Sequence, residues 1–174
     1  EGGLALLSKP LLKAFHYFNQ NSEKGSRRNI AAHYDLGNDL FQAFLDPTMM
    51  YSSGIFPSAD ASMEEASLNK LKIICEKLEL KETDHLVEIG TGWGGLAIYA
   101  AKNYGCKVTT TTISQEQFNL AQQRVKEEGL ENKVTLLLED YRDLKNVYEG
   151  QFDKLVSIEM IEAVGWKFYN TFFS

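Results

Sequence analysis

Glu88 and the run Gly90-Thr91-Gly92-Trp93-Gly94-Gly95 are the residues of this 174-residue chain best suited to hold a ligand. They follow the apolar lead Leu86-Val87, with Ile89 between the acid and the first glycine. A strand that stops in glycines lets the backbone turn tightly and press against a ligand. The helix that must follow offers unpaired N–H groups to something electron-rich. The pattern points to a nucleotide-like cofactor. A strand-to-helix turn that binds nothing is the plain alternative.

A dinucleotide site reads Gly-x-Gly-x-x-Gly and needs an acid about 20 residues on, at the end of the second strand. The spacing here is Gly-x-Gly-x-Gly-Gly, and the second strand ends in Thr109-Thr-Thr-Thr112-Ile113-Ser114 with no acid. An acid instead precedes the first glycine by two residues. That is closer to the acid-x-Gly-x-Gly-x-Gly pattern of S-adenosylmethionine (SAM) methyltransferases. Ser114-Gln-Glu-Gln117 reads both as a helix-capping box and as a glutamine able to bond ribose hydroxyls as donor and acceptor.

The elements that must position these residues follow from periodicity and caps. A short helix over 39–45 ends at Asp46-Pro47, since proline disfavours helix in the residue before it. A loop rich in Met, Tyr and Phe runs over 48–60. Ser62-Met-Glu-Glu65 opens a helix to about Leu80, with Leu68, Leu71, Cys75 and Leu78 on its apolar face. Strands are expected at 85–89, 107–112, 134–138 and 154–158. Helices are expected at 95–104 and 114–128, the second ended by Gly129. A further helix follows the last strand. This alternation predicts an α/β fold, a parallel sheet in the order 3-2-1-4 flanked by helices. Two segments are expected, an N-terminal helix and linker over 1–30 and a cofactor domain over 31–174. The domain lacks C-terminal strands, so either a longer polypeptide or self-association through the open edge of the fourth strand is expected.

The composition narrows the class. Charge divides into about +3 over 1–34 and −9 over 35–174, within a net −6. An acidic body does not suggest nucleic acid. The stripe Leu4, Leu7, Leu11, Leu12, Phe15 and Phe18, beside Lys9 and Lys13, suits either an anionic membrane surface or a neighbouring domain or subunit. Two cysteines and three scattered histidines have no metal spacing, so no metal is expected.

Four stretches become family-specific together: Ala32-His33-Tyr34-Asp-Leu-Gly-Asn-Asp39-Leu-Phe41, Asp46-Pro-Thr-Met-Met-Tyr51-Ser52, the glycine loop, and Leu138-Glu-Asp140-Tyr141-Arg142-Asp143-Leu144. The chain resembles the cyclopropane-fatty-acyl-phospholipid synthase and mycolic acid cyclopropane synthase family from about Arg28 onward. The resemblance implies a Rossmann-like SAM-dependent methyltransferase fold. It also implies transfer of a methyl(ene) group to the double bond of an unsaturated phospholipid acyl chain. Gly90 and Gly92 would then approach the methionine part of SAM, with Glu88, Thr91 and Gly94 also at the cofactor and Tyr51 and Ser52 closing over it. Thr112, Ile113 and Gln117 would hold the adenosine, and Asp140, Tyr141 and Arg142 would flank the adenine. Asp140 otherwise reads as a solvated loop acid.

The same resemblance implies a bound bicarbonate as the base, held by Glu162 and by the backbone N–H of Ser53. Glu159 stands where the family commonly has glycine. If helical, Glu159 and Glu162 would share a face. Aromatic groups, Tyr34 among them, would line a dry site and steady a cation. Further ligands of the base, a histidine and a tyrosine, would lie downstream of this segment. The setting implied is cytoplasmic, with contact at the inner membrane face, and a homo-oligomer is allowed. Another SAM methyltransferase acting on a small molecule or sterol, or a SAM-binding fragment without turnover, are the alternatives.

Overall fold

The structure, a computed structural model, describes residues 38–173. The expected segment 1–30, its apolar stripe, His33 and Tyr34 lie outside the described residues. The elements run α1 (Asn38–Phe44), α2 (Met63–Lys77), β1 (His85–Ile89), α3 (Gly95–Tyr104), β2 (Lys107–Thr111), α4 (Gln115–Glu127), β3 (Val134–Leu137), α5 (Tyr141–Tyr148), β4 (Lys154–Ser157), α6 (Ile161–Val164), a 3-10 turn (Trp166–Phe168) and α7 (Tyr169–Phe172).

The four strands form one sheet in the order β3-β2-β1-β4. All three pairings are parallel, with Ile89 opposite both Thr111 and Ser157. The strand ends of β1, β2 and β4 are thus level with one another, and the glycine loop leaves the sheet between its two neighbours. Alternation divides the sheet into two faces. Leu86, Val108, Val134 and Val156 pack with Leu71 and Cys75 of α2 and with Leu96, Ala97 and Ala100 of α3. Val87 and Ile89, on the other face, meet Leu144, Tyr141, Tyr148, Phe152 and Phe172.

Ser62 caps α2 in a reciprocal box with Glu65, as its sequence predicts. The apolar face of α2 differs from expectation. Leu68 is exposed, and Lys70 is buried instead, with its stem along the packed side. The helix α5 was not expected, because Arg142, Asp143 and Lys145 hide its periodicity; Asp140 starts it as N-cap. The single helix expected after β4 is broken. Gly165, at φ +77° and ψ 137°, separates α6 from the 3-10 turn.

Candidate active site

The loop leaving β1 is anchored before it turns. The N–H groups of Gly90 and Thr91 both donate to Thr111 O, at 3.1 and 3.0 Å, and Gly94 N–H donates to Thr91 O at 2.9 Å. Gly90, Gly92 and Gly94 have φ of +99°, +52° and +84°, the left-handed region that side chains resist. A Cβ at Gly92 would meet no atom within 4 Å, so this turn faces open space. Gly95 serves a different purpose. A Cβ there would sit 2.6 Å from Met50 Sδ and 2.7 Å from Thr48 O. Its bareness lets the 48–56 loop lie against the start of α3.

That loop is tied down from several sides. Trp93 is buried, donates from Nε1 to Asn38 Oδ1 at 2.9 Å, and packs 4.6 Å from the Phe41 ring. Tyr51 stands edge-on to Phe41 at 5.5 Å and to Trp93 at 6.4 Å, with half its surface exposed. Arg124 of α4 donates to Trp93 O, Pro47 O and Thr48 O. Lys70 donates to Ser52 O at 3.1 Å and to Ser52 Oγ. Burial pushes the Lys70 ammonium down, while Glu159 and Asp46 pull it up. Sequence reasoning missed Lys70 and Arg124. A lysine inside the stripe Ser67, Leu71, Ile74 and Cys75 was the available signal for the first.

Glu88 is buried on the α2 side of the sheet, where its Oε2 accepts from Thr110 Oγ1 at 2.7 Å. Thr91 Oγ1 lies 2.7 Å from the same hydroxyl. Desolvation pushes the Glu88 carboxyl up to about 8, against the lowering effect of the Thr110 bond. At neutral pH the group is therefore largely protonated.

At the end of β2, Thr112 Oγ1 donates to Gln117 Oε1 at 2.9 Å and accepts from Ser114 N–H at 3.2 Å. Ser114 Oγ accepts from Gln117 N–H at 3.3 Å. The reciprocal capping box expected here is thus only half made. The N–H that the Gln117 side chain would have accepted from goes to Thr112. Ile113 is half-buried between them.

Asp140 is not a solvated loop acid. It is buried, caps α5 by accepting from Arg142 N–H at 3.1 Å, and accepts from Arg142 Nε at 2.8 Å and Nη2 at 2.5 Å. The positive charge of Arg142 is therefore offset within two residues. The Tyr141 hydroxyl is buried without a hydrogen-bond partner among the described residues. Its ring lies 5.3 Å from Phe172.

Glu159 and Glu162 do not share a helix face. Glu159 lies two residues beyond β4 at φ +48°, outside α6, while Glu162 is exposed in the first turn of that helix. Glu159 Oε1 accepts from Ser53 N–H at 2.9 Å and from Ser53 Oγ at 2.7 Å.

Two implied groups can be tested against this geometry. An open, left-handed Gly92, an unpartnered Tyr141 hydroxyl and the Thr112–Gln117 pair at the β2 end fit a nucleoside cofactor lying across β1 and β2. A bicarbonate on Ser53 does not fit, because both Ser53 donors already serve Glu159.

A parallel 3-2-1-4 sheet with a glycine loop at the end of β1 defines the class: a Rossmann-like fold of the SAM-dependent methyltransferases. A mycolic acid cyclopropane synthase complexed with SAH and CTAB superposes with TM-score 0.77 at 33% identity, over 84% of this chain and 50% of that one. Residues 21–174 match the family described as mycolic acid cyclopropane synthetase, and the chain belongs to it. The cyclopropane-fatty-acyl-phospholipid synthase of Escherichia coli K12 is 50% identical over 90% of this chain. The tuberculostearic acid methyltransferase UfaA1 of Mycobacterium tuberculosis is 42% identical over 88% of it. The chain spans 39% and 36% of the lengths of these two relatives.

Proposed function

We propose that this chain is the cofactor-binding part of an enzyme that uses SAM to alkylate the double bond of an unsaturated phospholipid acyl chain, forming a cyclopropane. The observation that carries the reading is the meeting of three features at one end of the sheet. These are the open glycine loop, the exposed Tyr51 ring backed by buried Phe41 and Trp93, and the Glu159 side chain beside Ser53.

SAM, when bound, supplies an electrophilic methyl group on a sulfonium. Gly90, Thr91, Gly92 and Gly94 give it backbone that can be approached closely. Tyr51 and Ser52 close the near side, and Lys70 fixes Ser52. Thr112, Ile113 and Gln117 take the adenosine, with Tyr141, Asp140 and Arg142 at its base end. Glu88 acts from beneath the loop, through Thr110 and Thr91. The nucleophile is the π bond of the lipid, so the protein need not activate it. Its tasks are to orient the alkene, exclude water and offer aromatic faces to the positive charge that develops on the acyl chain. A base must then take a proton from the added methyl so that the ring closes. No step here runs through bicarbonate, since Ser53's donors are engaged.

Among the described residues no helix is long and apolar enough to cross a membrane. A phospholipid acyl chain as substrate places the reaction at a membrane surface, and we propose the cytoplasmic face. The CTAB in the related synthase supports a site that admits a long alkyl chain.

The test is mass spectrometry of phospholipid acyl chains from cells expressing the full-length gene and fed methionine deuterated on its methyl group. Monounsaturated chains should gain one methylene carrying two deuterons. Unchanged acyl chains alongside labelled small molecules or sterols would refute the lipid assignment.

A further inference from the structure

Glu159 combines features that a structural side chain does not need. It sits in a left-handed backbone conformation that a residue with a Cβ resists. It spans 106 residues of sequence to reach Ser53, and it takes both the Ser53 N–H and the Ser53 hydroxyl on one oxygen, Oε1. Among the described residues none donates to Oε2. Its position is fixed by the strand end. Ser157 pairs with Ile89 and donates from Oγ to Ile89 O at 3.0 Å, so residues 158–160 lie beside the glycine loop. Met160 Sδ comes within 3.7 Å of where a Gly90 Cβ would be. Lys70 holds Ser52, the residue next to Ser53, by donating to its carbonyl. The result is an exposed carboxyl group oriented by two donors, with one oxygen uncommitted among the described residues, beside the glycine loop.

We infer that Glu159 is the general base of the reaction, a carboxylate of the chain itself in place of a bound bicarbonate. This rests on the function proposed above. The alkene carbon forms a bond to the methyl carbon as the methyl–sulfur bond breaks, and S-adenosylhomocysteine leaves with that electron pair. The neighbouring acyl carbon carries the positive charge. Glu159 Oε2 accepts a proton from the added methyl. The freed C–H pair closes the ring onto the cationic carbon, and Glu159 is left as a carboxylic acid that returns its proton to solvent. Nothing is oxidised or reduced. Ser53 holds Oε1 throughout and is a positioning residue.

The test uses the full-length protein with SAM and vesicles of dioleoyl phosphatidylglycerol, in buffer stripped of carbon dioxide and then with bicarbonate restored. The parent should form ring at the same rate in both. E159Q keeps an oxygen for the Ser53 donors but cannot take the proton. It should bind SAM as the parent does and turn over about a hundredfold slower or worse, the usual worth of a general base. E159G opens the Ser53 donors and should regain turnover when bicarbonate is added. Stimulation of the parent by bicarbonate, or parental turnover by E159Q, overturns the assignment; the latter would make Glu159 a structural latch. Titration with 13C-bicarbonate followed by NMR needs no turnover. E159G should bind the anion and the parent should not, and equal binding by both also overturns the assignment. A parent that makes no lipid product, yet excludes bicarbonate that E159G binds, refutes the lipid reading and keeps the placement of the carboxylate.

Discussion

Changing Glu88 to Gln isolates what it costs to bury an acid at the centre of the sheet. Glu88 lies on the face that packs α2, close enough to Cys75 that their charges would repel. Burial raises its carboxyl from 4.5 to about 8. A folded-state value above the unfolded one means the group's stability contribution is complete below about pH 4.5 and falls as pH rises toward 8. Each pH unit in that window is worth about 1.4 kcal/mol, so the folded protein loses about 3 kcal/mol through this group between about pH 5.5 and pH 8. Gln has the same shape, carries no charge at either pH, and keeps a carbonyl for Thr110 Oγ1. Its amide adds one donor with no assigned acceptor, a loss of about 1 kcal/mol at every pH. Urea unfolding of the full-length parent and of Glu88→Gln should therefore diverge with pH. The variant should be comparable at about pH 5.5 and stronger by roughly 3 kcal/mol at about pH 8. Other titrating groups are common to both proteins and cancel. Two parallel pH profiles would refute the reasoning, because they would mean that Glu88 is ionised in the folded state.

Gly92→Val places a side chain in the open space before the loop and strains the backbone by about 1–2 kcal/mol. Calorimetry should show SAM affinity reduced more than about tenfold, the equivalent of 1.4 kcal/mol, in a variant that still folds; parental affinity would put the cofactor elsewhere. Gln117→Ala leaves the Ser114 cap intact, since that bond uses the backbone N–H of residue 117. It should cost only about 1 kcal/mol of stability from the lost Thr112 bond, and it should weaken SAM binding. Unaltered binding would remove Gln117 from the cofactor site.

The centre of the fold was legible because its signals are local. An apolar run, a break in glycines and the Ser62–Glu65 box each specify an element within a few residues, and β1, α3 and α2's start fall where they place them. Ser114 was readable as a cap, but the partner of the Gln117 side chain was not. The choice between Ser114 N–H and Thr112 Oγ1 depends on how β2 ends. The helix α5 was hidden for the same reason that Asp140 was misjudged. Asp140 and Arg142 look like solvated charges in sequence, and they neutralise each other only once the helix turns. Lys70 escaped notice because a lysine at a buried helical position is informative only when its acceptor, Ser52, is known. Glu159 and Glu162 are three apart, which suggests a shared helix face. The left-handed turn at Glu159 gives them different directions, and nothing in the residues around it announces that turn.

The reach from Ser53 to Glu159 also sets the order in which the molecule can assemble. The parallel βαβ unit of β1, α3 and β2 closes a short stretch of chain and can pair early, with α4 and β3 adding outward. β4 must return past all of them to reach the free side of β1. Closing so long a stretch carries a larger entropic barrier than any earlier step, and contacts distant in sequence form slowly. The 48–56 loop gains its Glu159 anchor only after that return. A chain still emerging from the ribosome would therefore hold a formed glycine turn well before it held a finished site, and the loop over the cofactor would be the last part to settle.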